Sequence, residues 1–421
     1  MKKVRIMPDG HWYWSMPVPF SQGWKVGNLI FVGGQISADR RGRTIAPGDI
    51  ATQTRNVFEH IRRVLREVGA DLSDIVNLNT FYKFDGEGHA ITEFWEAMTK
   101  VRLEYLADPG PAATAVRVAG FAYEGLVIEI EAIAAVGVEK VRLMPKNHWD
   151  WSIPVPLSQG WKVGPLIFVG GQISADRTGR TVAAGDIAAQ TRNVFKNIES
   201  VLREAGADMR DVVKLNTYYQ FEGEGRAITD FWEQLTRVRM EYLADPGPAG
   251  TAVRVAGFAY EDLLIEIEAI AAVGVEKVRL MPKDHWDWSM PVPFSQGWKV
   301  GDLIFVGGQI SADRHGRTLG PGDIARQTRN TFESIRRVLA EAGADIRDIV
   351  KLNTYYQIKG EGETLRRSWE EMTRVRMEYL ADPGPVGTAV RVTGFAYEDL
   401  LIEIEAIASV AGQGDDRPSR G

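Results

Sequence analysis

The chain has 421 residues, no cysteine, a formal net charge of -6 and an isoelectric point near 5.7. Without cysteine, disulfides, thiolate chemistry and the usual zinc–thiolate sites are excluded, and the acidic balance argues against a nucleic-acid partner. No apolar run reaches transmembrane length, and no long apolar segment follows Met1-Lys2-Lys3, so neither a membrane span nor a signal peptide is expected and the cytoplasm is the default location.

The sequence repeats itself. Val4-Arg5-Ile6-Met7-Pro8 returns as Val141-Arg142-Leu143-Met144-Pro145 and as Val278-Arg279-Leu280-Met281-Pro282, an offset of 137 residues. Each repeat is large enough to own a core, unlike a solenoid repeat. The expected division is unit 1 at 1–137, unit 2 at 138–274, unit 3 at 275–411, and a polar tail at 412–421 read as disordered. Three copies on one chain suggest a covalent trimer, monomeric in chain number, with sites between neighbours.

Unit 1 opens with a short strand around Val4–Met7. A proline-bearing loop, Pro8 to Pro19, stays extended. Ser21 to Val26 and Leu29 to Val32 read as strands joined at Gly27-Asn28, and Gly33-Gly34 suggests close approach of backbone to a neighbour or ligand. Asp49 is a helix N-cap candidate. From there Ile50, Thr54, Val57, Phe58, Ile61, Val64 and Leu65 fall at helical spacing up to Val68, with Gly69 as the stop. Ile75 to Phe84 reads as a strand and Ala90 to Leu106 as a second helix, broken by Asp108-Pro109-Gly110-Pro111. Thr114–Ala119 and Val127–Ala134 are the last strands. The order β-β-β-α-β-α-β-β predicts an α+β layer. Both helices cover one face of a mixed sheet, and the other two units cover its second face.

Gln22-Gly23, Val26-Gly27-Asn28, Gly34-Gln35-Ile36, Gly48-Asp49-Ile50, Gln53-Thr54-Arg55, Gly69-Ala70-Asp71 and Ile128-Glu129-Ile130-Glu131-Ala132 resemble the Rid (YjgF) family, and the match recurs in all three units. The resemblance implies a chorismate-mutase-like α+β fold, a pseudo-threefold single-chain trimer with clefts between units and, for the deaminase branch, hydrolysis of reactive imines and enamines. It also carries a link to RNA cleavage, which the acidic balance disfavours. The family's substrate-binding arginine is absent: its positions hold Ala113, Gly250 and Gly387. A cleft tyrosine is replaced by Phe20, Leu157 and Phe294, and a serine by Gly33, Gly170 and Gly307. The glutamate that helps position water matches at Glu129, Glu266 and Glu403.

Half of the six histidines occupy one loop position: His11-Trp12-Tyr13-Trp14, His148-Trp149-Asp150-Trp151 and His285-Trp286-Asp287-Trp288. By the resemblance this loop borders the cleft, where His11, His148 and His285 would move protons. Asp150 or Asp287 would orient the imidazole, while unit 1 has Tyr13 instead. The alternative is that the tryptophans wedge units together. Arg117, Arg254 and Arg391 lie on the same strand face as the lost family arginine and would grip an anion, or else form inter-unit ion pairs. Glu129, Glu266 and Glu403 share a face with Glu131, Glu268 and Glu405, so one of each pair would be a general base. Asn79, Asn216 and Asn353, disfavoured in mid-strand, would hold a substrate oxygen or water. Trp14, Trp151, Trp288, Phe20 and Phe294 would hold a planar substrate, whereas Trp95, Trp232 and Trp369 read as core packing.

These features point to a small-molecule hydrolase acting on a planar nitrogen-bearing or aromatic substrate, with no cofactor and no metal. A tautomerase, lyase or elimination enzyme using the same His and Glu, and a non-catalytic small-ligand-binding protein, are the alternatives.

Overall fold

The computed structural model describes residues 2–410, so the expected tail lies outside the described residues. Unit 1 contains β1 (Lys3–Ile6), β2 (Gly23–Val26), β3 (Leu29–Ile36), α1 (Ile50–Arg66), β4 (Ile75–Tyr82), α2 (His89–Arg102), β5 (Ala112–Arg117), β6 (Gly120–Phe121) and β7 (Ile128–Ala135). The sheet order is β1-β2-β3-β7-β4-β5; β4 and β5 are parallel and the other neighbours antiparallel. Units 2 and 3 repeat this plan.

Local chemistry explains the elements. The Asp49 carboxylate accepts from Thr52 N at 3.1 Å, satisfying a free amide at the start of α1. The buried face of α1 is Gln53, Thr54, Val57, Phe58, Ile61, Val64 and Leu65, the stripe read from the sequence with Gln53 added and Ile50 half-buried. Helix α2 ends at Arg102, four residues before the expected Leu106, in a short turn. Strand β3 runs through Gly33-Gly34 to Ile36, and its register against β7 shifts between Val32 and Gln35.

The segment expected as one strand from Thr114 to Ala119 is two. Strand β5 ends at Arg117, and after a kink β6 leaves for another sheet. Phe121 pairs with Val390 and Gly120 with Arg391, extending the sheet of unit 3. Gly394–Phe395 of unit 3 does the same to Ala249–Val255 of unit 2, and Gly257 of unit 2 bridges Arg117 of unit 1. These exchanges run 1→3→2→1, so the ring of units closes through backbone hydrogen bonds.

Each sheet's helix-free face packs on its neighbours. A core cluster joins Phe31, Val76 and Ile133 of unit 1 with Phe168 and Val213 of unit 2 and Phe305 and Val350 of unit 3. Its burial holds the three units together, because separation would expose apolar sheet faces. Gly33, Gly170 and Gly307 permit this approach. A Cβ at Gly170 would lie 2.9 Å from Ala113 N, and one at Gly307 would lie 2.9 Å from Gly250 O.

Candidate functional site

Three equivalent seams lie between β3 and β7 of one unit and β5 and α2 of the preceding one. At the seam of units 1 and 2, a cavity of about 30 Å³ is lined by Trp95, Arg102, Ala113 and Ala115 of unit 1 and by Trp151, Leu157, Gly171, Tyr260 and Glu266 of unit 2. At the seam of units 3 and 1, about 20 Å³ remains among Trp14, Phe20, Trp369, Arg376, Gly387 and Ala389. Such volumes hold one or two waters.

The glutamates matched by resemblance sit in these seams. Glu266 accepts from Ala115 N at 3.2 Å, Glu403 from Ala252 N at 3.2 Å, and Glu129 from Ala389 N at 3.3 Å. Each leans over a glycine of its own sheet (Gly171, Gly308, Gly34), where a Cβ would overlap the carboxyl. Burial raises all three carboxyls to about 8, with the neighbouring Glu131, Glu268 or Glu405 a smaller contribution. They are therefore carboxylic acids, able to donate a proton, at neutral pH.

Opposite them stands a residue the sequence reading passed over. Arg102, Arg239 and Arg376 end the buried stripe of the second helix in each unit and have no carboxylate partner among the described residues. Arg102 makes one long bond, 3.4 Å to Thr80 Oγ1, and the Nε of all three is buried without a partner. Desolvation lowers these guanidinium groups to about 10, so they remain cationic at neutral pH. A Cβ on Gly250 would lie 3.7 Å from the Arg239 guanidinium, and one on Gly387 would lie 3.9 Å from that of Arg376. A guanidinium from the helix thus reaches the strand position where the family arginine is missing. The fully buried Tyr82, Tyr219 and Tyr356 hydroxyls also lack partners; Tyr82 lies within electrostatic reach of both Arg102 and Glu266.

The sequence pattern of the family described as Endoribonuclease L-PSP matches residues 15–136, 152–273 and 289–410. The chain belongs to this family, the Rid family. A RutC family protein of Pyrococcus abyssi is 42% identical over 116 residues, 28% of this chain and 85% of that protein. A protein of Dermatophagoides farinae named 2-iminobutanoate/2-iminopropanoate deaminase is 30% identical over 118 residues, 28% of this chain and 86% of that protein. In fold, a crystal structure of a chorismatase matches with a TM-score of 0.55 at 16% identity, over 80% of this chain and 93% of that one.

Other residues singled out from this Rid sequence have different places. The histidines are held inside their own units. Gln35 Oε1 takes an N–H from His11 Nε2 at 2.8 Å and one from Trp12 Nε1 at 3.0 Å, while Gln35 Nε2 donates to Gln22 Oε1 at 2.8 Å. His148 with Gln172 and His285 with Gln309 repeat the arrangement at 2.7 and 2.8 Å. Burial lowers His11 and His285 to about 4 and shifts His148 the same way, so the rings are neutral. His11 does not line the 3/1 cavity, nor His148 the 1/2 cavity. Asp150 and Asp287 accept from the backbone N of Trp151 and Trp288 at 2.9 and 2.8 Å rather than orienting an imidazole. The His–Trp–Gln clamp fixes the loop so that its second tryptophan reaches the seam.

That tryptophan meets the neighbour's helix. Trp288 stacks on Trp232 at 4.8 Å and 23°, and Trp14 lies tilted against Trp369 at 6.0 Å. Trp95, Trp232 and Trp369, read as core packing, are buried but face the seams. Phe20 and Phe294 pack under Trp14 and Trp288 at 6.1 and 6.0 Å.

Arg117, Arg254 and Arg391 tie neighbouring units together. Arg117 donates to Gly86 O at 2.8 Å and across the seam to Ala256 O at 2.7 Å. Arg254 binds Gly223 O and Thr393 O, and Arg391 binds Gly360 O, Ala119 O and the Glu361 carboxylate. Each spends one terminal nitrogen on a carbonyl of its own unit and the other on a carbonyl of the neighbouring unit, while its buried Nε has no partner among the described residues.

Asn79, Asn216 and Asn353 lie on the pseudo-threefold axis. Asn79 Nδ2 donates to Glu131 at 3.2 Å and Glu268 at 3.1 Å; Asn216 bonds Glu268 and Glu405, and Asn353 bonds Glu131. Of the residues singled out, Glu129, Glu266 and Glu403 come together with the aromatic residues in the seams. The overlooked signal was periodicity: Ile91, Trp95, Met98 and Arg102 fall on one helical face, so a cation stands in an apolar stripe. Ile228, Trp232, Leu235, Arg239 and Leu365, Trp369, Met372, Arg376 repeat it.

Proposed function

We propose that the chain hydrolyses small planar imines or enamines bearing a carboxylate, at the seams between units. The observation that carries this is the pairing, around one cavity, of a buried guanidinium without an anion and a buried carboxylic acid. A substrate carboxylate would complete the guanidinium through paired N–H donors. The imine group would then face Glu266, Glu403 or Glu129. The acid protonates the imine nitrogen and a water oxygen adds to the carbon. The resulting carboxylate takes the water proton, and the carbinolamine collapses to a carbonyl and ammonia. The reaction balances with one water per imine. The water oxygen becomes the carbonyl oxygen, both water hydrogens leave on the nitrogen as ammonia, and nothing is oxidised or reduced. The deaminase name of the mite relative supports this chemistry.

The cavities are smaller than a substrate, so Trp151 or Trp14 would swing aside on binding. The 2/3 seam, across which Trp232 and Trp288 stack, would turn over most slowly.

The test supplies 2-imino acids generated in the assay by an amino-acid oxidase and follows ammonia and oxo-acid release above the buffer rate. Acceleration that is lost in a Glu129→Gln, Glu266→Gln, Glu403→Gln triple variant supports the reading. A rate equal to buffer, or one untouched by the triple variant, contradicts it.

A further inference from the structure

The axis breaks its own symmetry. Lys351 Nζ donates to Glu131 Oε2 at 2.7 Å and to Asn353 Oδ1. Lys214 Nζ donates to Glu405 Oε2 at 2.6 Å, to Thr251 Oγ1 at 2.7 Å and to Asn216 Oδ1. At the third position the sequence has Asn77, too short to repeat the bond. Among the described residues, Glu268 Oε2 keeps only the Thr114 hydroxyl, at 2.7 Å, which itself accepts from Gly171 N at 3.0 Å, and no lysine reaches it. Asn79 Oδ1, the counterpart of the two oxygens that accept from lysine, is buried and has no partner among the described residues, in a side chain 5% exposed. A cavity of about 50 Å³ opens on the axis, lined by Asn77, Asn79 and Glu268 together with Lys214, Lys351, Glu131 and Glu405. Asn77 is half-buried, whereas Lys214 and Lys351 are buried.

We infer that a monovalent cation of ammonium or potassium size binds at this corner, held by Glu268 Oε2, Thr114 Oγ1 and Asn79 Oδ1 in place of the missing lysine ammonium. The two filled corners are the template. Each places one positive nitrogen against the same carboxylate and amide oxygens, and the Lys214 corner also against the equivalent threonine hydroxyl. A tetrahedral ammonium reproduces those bonds, and potassium is satisfied by the same oxygens. The cavity exceeds the space one water needs, so an ion with a water fits. Electrostatics agree: burial, with Glu405 and Glu131 nearby, holds Glu268 above the usual carboxylate range, while lysine holds Glu405 below it. A small divalent ion is disfavoured, because one carboxylate and two neutral oxygens offer too little charge.

The experiment is thermal unfolding of the full chain in ammonium, potassium, sodium and tetramethylammonium chlorides at one ionic strength. Binding to the folded state alone raises the midpoint. We expect ammonium or potassium to raise it by about 1–3 °C over tetramethylammonium, which is too large for the corner. Comparing ammonium with potassium identifies the preferred ion. Asn77→Lys supplies the cation covalently, so its midpoint should lie above that of the wild type in tetramethylammonium and should not respond to the choice of salt. Should Asn77→Lys fail to fold, Glu268→Gln serves instead and should also lose the response. Equal midpoints in all four salts overturn the inference, as does a wild-type response in either variant. A thallium(I)-soaked crystal gives the location: an anomalous peak beside Glu268 supports it, and none there overturns it.

Discussion

Two glutamates stand two residues apart on β7, and the fold treats them oppositely. Glu131 faces the axis, where Lys351, Asn353 and Thr388 surround its carboxylate. Glu129 faces a seam, where its carboxyl accepts one backbone N–H and makes no ion pair among the described residues. The alternation of a strand delivers both to the same side, and the neighbours decide their chemistry. On the axis, opposite charges are matched apart from one corner. In the seam of units 1 and 2, the Arg102 guanidinium and the Glu266 carboxyl line one cavity without forming an ion pair. Matched buried charges hold a structure together, whereas unmatched ones are costly unless a ligand completes them.

The largest effect should come from removing the seam cation. Arg102→Met, Arg239→Met and Arg376→Met together should lower kcat/KM on 2-imino acids about 100- to 1,000-fold, as for loss of one partner of a buried charged pair. The melting temperature should hold or rise, because the unpartnered guanidinium groups are no longer desolvated. Arg102→Met alone should cost more activity than Arg239→Met, because Trp232 and Trp288 stack across the 2/3 seam. Steady-state kinetics with thermal melts check both.

Next is the seam acid. Glu266→Gln keeps the size of the side chain and should reduce the contribution of its seam about 100-fold. In the wild type, activity should fall as pH rises through about 8, where the acid loses its proton. The same shift acts on stability. The folded pKa lies above the ordinary carboxylate value of 4.5, so the contribution is complete below about 4.5 and is lost as pH rises to about 8. The triple Gln variant should therefore show a flatter melting temperature between pH 5 and about 8.

Much of this was legible in the sequence. The 137-residue period, the Asp49 cap, the α1 stripe and the Gly33-Gly34 approach all appear where they were read, because each is set by local residues. The strand exchange of Gly120-Phe121 was not, since it depends on which edge of unit 3 lies within reach. Arg102 was hidden for a related reason. A basic residue in the last turn of a helix reads as a solvated cap, and only the register with Trp95 and Met98 turns it inward. The histidines misled in the opposite sense: their rarity and position suggested chemistry, but a glutamine one strand away holds them.

A smaller change should follow from opening a seam. Trp151→Ala should raise activity on bulky imines several-fold relative to small ones, while Trp288→Ala should gain most of all by freeing the stacked 2/3 seam. Competition between substrates of graded size measures it. The smallest effect belongs to His148→Gln, which should leave kcat/KM within about twofold and lower stability by about 1 kcal/mol through the loss of one hydrogen bond. His11 and His285, held at about 4, should add stability that is present above about 6.5 and lost as pH falls through about 4.

The most direct measurement is the crystal structure of the protein soaked with a planar 2-oxo acid, the product class of the proposed reaction. The expected result is the ligand in the seam of units 1 and 2, its carboxylate bidentate on Arg102, its carbonyl toward Glu266, and Trp151 displaced. A ligand bound instead through Arg117 or at the axis, with the Arg102 guanidinium still bare, would contradict it.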